Sequence, residues 1–300
     1  MKHIVTIEDL NNKDIIDILD RAKKLVPIAE GKKTSKSLSG KIVATCFFEP
    51  STRTRLSFET AILRLGGNYI GFADPSATSH IKGETLSDSI RMVSGYADAV
   101  VLRHPQEGSA RLAADLSSVP IINGGDGAGQ HPTQTLLDLF TIREEVGQLE
   151  GLNVGLLGDL RYGRTVHSLS EALSRFNNKL HFISPENLTI PDRVKDVLGP
   201  DCWTENNQLE KILPELDVLY VTRIQKERFP DIEDYLKVAD IYRITAELLR
   251  DAKPELKVMH PLPRVSEISI DVDDTPHAAY FKQAFNGVPV RMALLETLME

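Results

Sequence analysis

The stretch Lys41-Ile42-Val43-Ala44-Thr45-Cys46-Phe47-Phe48-Glu49-Pro50-Ser51-Thr52-Arg53-Thr54-Arg55 decides the fold. Its apolar part, Lys41 to Phe48, reads as a buried strand. The residues after it, Leu56 to Leu65, read as a helix: Phe58, Ile62 and Leu65 fall on one face, and Gly66-Gly67 stops it. The junction between the two, Ser51 to Arg55, gathers three hydroxyls and two guanidinium groups. A helix N-terminus presents free backbone N–H groups and partial positive charge, so it favours an anion. Ser and Thr add neutral donors, and Arg adds a planar fork that matches phosphate oxygens. A single Ser or Thr there would be a cap and nothing more. The arginines among the hydroxyls make the junction read as a phosphate cradle. The Gly-x-x-x-x-Gly-Lys spelling is absent from it, which argues against a nucleotide.

Working outward, strand patterns recur at Asn68–Phe72, Ala99–Arg103, Pro120–Asn123, Asn153–Gly158, Lys179–Ser184, Val218–Thr222 and Lys257–His260, with helical patterns between most of them. Short apolar strands alternating with helices indicate an α/β chain with parallel sheets flanked by helices. At 300 residues, two domains are expected, each with its own parallel sheet. Pro132–Glu145 is a strong helix with Pro in its first turn, and the domain junction is placed there. The last helix is expected over Pro289–Glu300.

The composition excludes several classes. Net charge is −8, so a basic nucleic-acid-binding surface is not expected. Any anionic ligand must be drawn by a local basic site. The two cysteines, Cys46 and Cys202, form no Cys-x-x-Cys pair, and Cys46 reads as a core residue. No histidine spacing suggests a metal, and no cofactor is expected. No apolar run approaches the ~18 residues of a membrane span, and the N-terminus lacks a signal-peptide core, so a cytoplasmic location is expected.

Ligands of open α/β sheets bind beyond the carboxyl ends of the strands. The polar clusters follow strands as that rule requires: Ser51–Arg55, Arg103–Gly108, Gly124–Pro132, Asp159–Arg164, Arg223–Arg228 and His260–Arg264. They point to a cleft lined from both domains. His131, just before a helix, would be kept neutral by the helix N-terminus and able to donate to a carbonyl oxygen; a capping or core histidine is the plainer reading of that residue alone. Gln134 lies near the same helix end. Arg164 and Arg223 suit carboxylates, which guanidinium binds with two hydrogen bonds. Lys82, in a loop, offers a point charge. In His260-Pro261-Leu262-Pro263 the prolines remove donors and leave carbonyls to accept from an amine. Asp271, Asp273 and Asp274 read as a solvated acidic face. No nucleophilic Ser or Cys paired with a base stands out. The sum suits transfer of an acyl-type group from a phosphate to an amine.

Taken in order, Ser51-Thr52-Arg53-Thr54-Arg55, Lys82-Gly83-Glu84-Thr85, Arg103-His104-Pro105, His131-Pro132-Thr133-Gln134, Gly158-Asp159 through Arg164, Thr222-Arg223-Ile224-Gln225 and His260-Pro261-Leu262-Pro263-Arg264 resemble the catalytic chains of the aspartate carbamoyltransferase family. Each motif is weak and the full set is specific. The resemblance implies the aspartate/ornithine carbamoyltransferase fold, with a carbamoyl-phosphate-binding domain (1–132 plus 286–300) and an aspartate-binding domain (133–285). It implies carbamoyl transfer from carbamoyl phosphate to L-aspartate, an early step of de novo pyrimidine biosynthesis.

By the same resemblance Ser51, Thr52, Arg53 and Thr54 would bind the phosphate. Thr54, Arg103 and His131 would contact the carbonyl oxygen. Gln134 and the backbone at Pro261 and Leu262 would hold the carbamoyl amide. Arg164, Arg223 and Gln225 would bind aspartate. Ser79 and Lys82 would reach the site of a neighbouring subunit in a homotrimer, Lys82 touching both substrates. Glu49 and Arg228 would act in interdomain closure. Many prokaryotic members add separate zinc-bearing regulatory chains. Ornithine carbamoyltransferase, the nearest alternative, typically carries His-Cys-Leu-Pro where this chain has His260-Pro261-Leu262-Pro263. A silent scaffold homologue is the other alternative, and the intact Arg53, Lys82, His131 and Arg223 argue against it.

Overall fold

A computed structural model describes residues 2–74, 76, 78–224 and 242–300. The chain divides into two compact units, Met1–Phe140 with Phe285–Glu300, and Thr141–Ala284. Each unit has its own parallel sheet, as the α/β reading expects.

In the first unit the strands are β1 (Ile42–Phe47), β2 (Asn68–Phe72), β3 (Ala99–His104) and β4 (Ile121–Asp126), ordered β2-β1-β3-β4. Helices α1 (Asn12–Ala29), α2 (Thr52–Arg64), α3 (Leu86–Ser94) and α4 (Ser109–Leu116) accompany them. β1 is buried along nearly its whole length because helices cover a parallel sheet on both faces. Burial also pushes the Cys46 thiol up, to about 12, consistent with an inert core residue. Helix α2 begins at Thr52, earlier than the apolar pattern alone indicates, so the cradle residues occupy its first turn.

The second unit holds β5 (Asn153–Leu157), β6 (Lys179–Ile183), β7 (Trp203–Asn206), β8 (Val218–Val221) and β9 (Lys257–Met259), ordered β7-β6-β5-β8-β9. Strand β7 was not expected. Trp203-Thr204-Glu205-Asn206 is short and half polar because it pairs only with β6 at the sheet edge, so it lacks a buried strand's apolar run. Helix α5 (Pro132–Val146) comes before this sheet, and α6 (Arg164–Ser174), α7 (Asp192–Lys195) and α8 (Leu209–Ile212) lie within the unit. The last helix, α9, runs from Tyr280 to Met299 and passes through Pro289 rather than starting there. The division between the units falls inside α5 and inside α9.

In both sheets the chain reverses its direction of strand addition once, between β1 and β3 and between β5 and β8. Ligands of such sheets gather beyond the strand ends at that reversal. Gly158 follows β5 there, with φ +115°, and an added Cβ would stand 2.3 Å from the carbonyl oxygen of Thr222, which follows β8. Gly158→Ala is therefore expected to cost on the order of 1–3 kcal/mol, read as a lower urea midpoint than the native chain's.

Candidate functional site

The N-terminus of α2 is built from residues with few local commitments. Ser51 takes the N-cap position with extended backbone, yet its side chain makes no capping bond. Thr52 and Arg53 are exposed, and Thr54 is buried. Arg55 turns away to pair with Glu59, 3.8 Å off, which leaves Arg53 as the cradle's arginine. Partial burial of the Arg53 head group, and then the charge of Arg103, push its pKa below the ordinary arginine value.

Arg103 ends β3, where the register with β4 shifts between Leu102 and His104. Such an irregularity re-aims a side chain. Its guanidinium donates to the Gly124 carbonyl oxygen at 3.1 Å and pairs with Glu49 at 3.4 Å. Among the described residues, its Nε and the Glu49 Oε2 are buried without a hydrogen-bond partner. Burial pushes Arg103 down, and Glu49 opposes that. Glu49 thus has a partner within its own unit.

His131 and Thr133 are buried at the start of α5. The Thr133 Oγ1 lies 3.4 Å from His131 Nδ1 and accepts from Arg291 Nη2 at 3.3 Å. Gln134 donates from Nε2 to the fully buried Asp138 at 2.9 Å. A carboxylate only accepts, so the Gln134 amide is oriented with its oxygen turned away. Arg291, on α9, was not singled out by sequence. Its guanidinium lies over the Phe58 ring at 5.0 Å, and burial pushes it down, to about 9, with Asp138 favouring the charge and Arg103 opposing it. It stays cationic at neutral pH. The available signal was a lone charge within Val288-Pro289-Val290-Arg291-Met292-Ala293-Leu294-Leu295.

Ser79 and Lys82 stand exposed on a single turn, Ser79–Lys82. Among the described residues no hydrogen bond or ion pair joins either side chain to the cradle.

In the second unit, Arg164 opens α6 beyond β5, and Arg223 follows β8. Both are half-buried, on either side of the strand-order reversal. Gln225 and Arg228 lie outside the described residues. Pro261 and Leu262 follow β9, and Leu262 takes φ 54°, unusual for a branched residue. His260 holds them. Its backbone N–H donates to Gln283 at 2.8 Å, its Nδ1 accepts from the Leu262 N–H at 2.8 Å, and its Nε2 lies 2.7 Å from Glu267. Since Nδ1 accepts, Nε2 carries the proton and donates to the carboxylate. Sequence reading missed Glu267. It also missed the partners of Asp273, a partly exposed residue to which Arg264 and the Tyr280 hydroxyl both donate.

Residues 2–144 match the carbamoyl-P binding domain of the aspartate/ornithine carbamoyltransferases, and residues 150–298 match their Asp/Orn binding domain. The aspartate carbamoyltransferase catalytic subunit of Archaeoglobus fulgidus is 56% identical over 299 residues, spanning 100% of this chain and 99% of its own. The solved catalytic subunit of M. jannaschii aspartate transcarbamoylase is 53% identical, with a TM-score of 0.94 over 100% of this chain and 98% of that one. Aspartate transcarbamoylase from Trypanosoma cruzi, solved with carbamoyl phosphate and aspartate, is 38% identical, with a TM-score of 0.94 over 100% and 97% of the two chains.

The His260–Glu267 pair makes stability depend on acid pH. Burial pushes the Glu267 carboxyl up, but the His260 hydrogen bond and backbone N–H groups outweigh it and hold it down, from 4.5 to about 2. A depressed carboxyl stabilises the fold above its unfolded value and loses that contribution as pH falls through the folded one. Glu267→Gln is expected to cost up to about 3 kcal/mol above pH 5, and progressively less between pH 4.5 and 2. Urea unfolding of both proteins across that range checks it.

Proposed function

Because the chain belongs to the aspartate/ornithine carbamoyltransferase family, we propose that it transfers the carbamoyl group of carbamoyl phosphate to the amine of L-aspartate. The products are N-carbamoyl-L-aspartate and phosphate. What carries the reading at the level of residues is the α2 terminus: an uncapped Ser51 and a partly desolvated Arg53 beside Arg103, with no acidic residue in the helix's first turn. Such a place suits a dianion.

In this reading Ser51, Thr52, Arg53 and Thr54 hold the phosphate. Thr54, Arg103 and His131 face the carbonyl oxygen and stabilise the charge that grows there as the amine attacks. Gln134, its amide nitrogen already given to Asp138, accepts from the carbamoyl amine with its oxygen. The carbonyls of Pro261 and Leu262 do the same. Arg164, Arg223 and Gln225 grip the two carboxylates of aspartate. Nitrogen forms the new bond to carbon, the carbon–oxygen bond to phosphate breaks, and the departing phosphate takes the amine proton. No strong protein base is needed, and positioning with electrostatic stabilisation supplies the acceleration.

The family pattern extends the reading to a cytoplasmic homotrimer in de novo pyrimidine biosynthesis. Ser79 and Lys82, exposed as they are, serve a neighbour's site there, and zinc-bearing regulatory chains, which many prokaryotic members add, are candidate partners of the trimer. Glu49 and Arg228 keep the closure role the pattern gives them, with Glu49 exchanging its Arg103 contact when it acts.

The test is a carbamoylation assay with carbamoyl phosphate and either L-aspartate or L-ornithine. Product is expected with aspartate alone. Arg223→Ala is expected to raise the KM for aspartate and to lower kcat/KM by about 10²-fold or more, the loss of a charged, bidentate contact. Product with ornithine alone sinks the reading.

A further inference from the structure

His131 can stabilise negative charge on a carbonyl oxygen only through a ring nitrogen that bears a proton. A neutral imidazole has one such nitrogen, and which one it is depends on what the other nitrogen meets. Here the other partner is legible from the donors alone. Arg291 has no acceptor atom, so the 3.3 Å contact from its Nη2 requires Thr133 Oγ1 to accept. That leaves the hydroxyl with one hydrogen to donate. Thr133 is fully buried, and a buried hydroxyl hydrogen without an acceptor is costly. Among the described residues, the acceptor that Thr133 Oγ1 meets is His131 Nδ1, at 3.4 Å.

We propose that Arg291 and Thr133, in series, are positioning residues that hold His131 in the tautomer with Nδ1 bare and the proton on Nε2. Arg291 donates to Thr133, Thr133 donates to His131 Nδ1, and Nε2–H is the donor that would face the substrate's carbonyl oxygen in the role given above to His131. Asp138 links the second arm, favouring the Arg291 charge while fixing the Gln134 amide. Arg291 thus bonds to the hydroxyl that meets His131, and its charge is favoured by the carboxylate that orients Gln134. The tautomer itself is a property of the resting protein. Its catalytic consequence rests on the role given above to His131.

The experiment uses the full chain labelled with 15N-histidine, with long-range 1H–15N spectra of the imidazoles and His131→Asn to assign the signal. The native protein is expected to show a bare Nδ1 and a protonated Nε2. Thr133→Val, close in shape but without the hydroxyl, is expected to mix the tautomers and lower kcat roughly tenfold to a hundredfold, with KM for carbamoyl phosphate nearly unchanged. Thr133→Ser restores both the spectrum and the rate. A native His131 protonated on Nδ1 overturns the proposal, as does Thr133→Val with native spectrum and native kcat. If His131→Asn costs no rate, the catalytic role of His131 falls, while the spectra still decide the tautomer.

Discussion

Cations held near one another repel, and the first unit keeps three guanidinium groups that way, Arg291 buried, Arg103 largely so and Arg53 exposed. Arg53, Arg103 and Arg291 are each held below the ordinary arginine range, burial first and a like charge among the causes for Arg53 and Arg291. Glu49 touches Arg103, and Asp138 favours Arg291. Arg53 stands at the helix terminus, where the backbone adds still more positive potential. The arrangement costs free energy in isolation, and an anion held at the α2 terminus, as proposed above, would relieve it. Around that constraint the local structure makes sense: the β3–β4 irregularity at Arg103, the absence of a cap at Ser51, and the return of α9 to bring Arg291 beneath α5.

The second unit solves a different problem, that of holding backbone carbonyls and two arginines in fixed places. Arg164 and Arg223 flank the reversal of strand order, where neighbouring strand ends diverge. The close approach at Gly158 sets that geometry from the backbone. The Pro261–Leu262 segment is held by polar contacts rather than apolar packing: one histidine bonded through three of its groups, to Leu262, to Gln283 and to Glu267. An unusual φ at Leu262 persists because its surroundings over-determine it.

Much of the fold was legible because it is written locally. β1 and the α2 junction lie within one stretch, where a run of apolar residues gives way to a helical period, and eight of the strands announced themselves as apolar runs of that kind. β7 did not, since an edge strand with Thr204 and Glu205 carries no such run. The start of α9 was hidden by Pro289, which reads as a first-turn residue but sits mid-helix. The strand-end clusters of the candidate site were visible in the same local way. What could not be read was which groups touch. Thr133 and Arg291 meet across 158 positions of sequence, and Glu267 reaches His260 only because the chain doubles back after Pro263. Asp273 looked solvated for the same reason: its partners, Arg264 and Tyr280, are supplied by folding rather than by neighbours in sequence.

The passage between the units runs inside two helices, with division points at Phe140/Thr141 in α5 and Ala284/Phe285 in α9. A heritable module is usually cut at linkers, where few contacts are lost. This chain offers a loop at Gly147–Gly151 that resembles such a seam, and a copy ending there would hold the α2 terminus, Arg103, His131 and Gln134 in one piece. It would still be missing Arg291, 158 positions further along the chain than Thr133, and the Thr133 hydroxyl would lose the donor that gives it a direction. The unit that carries the α2 terminus is therefore not separable by recombination at its apparent boundary. Duplication or fusion that keeps the first unit intact would have to carry both of its segments, Met1–Phe140 and Phe285–Glu300.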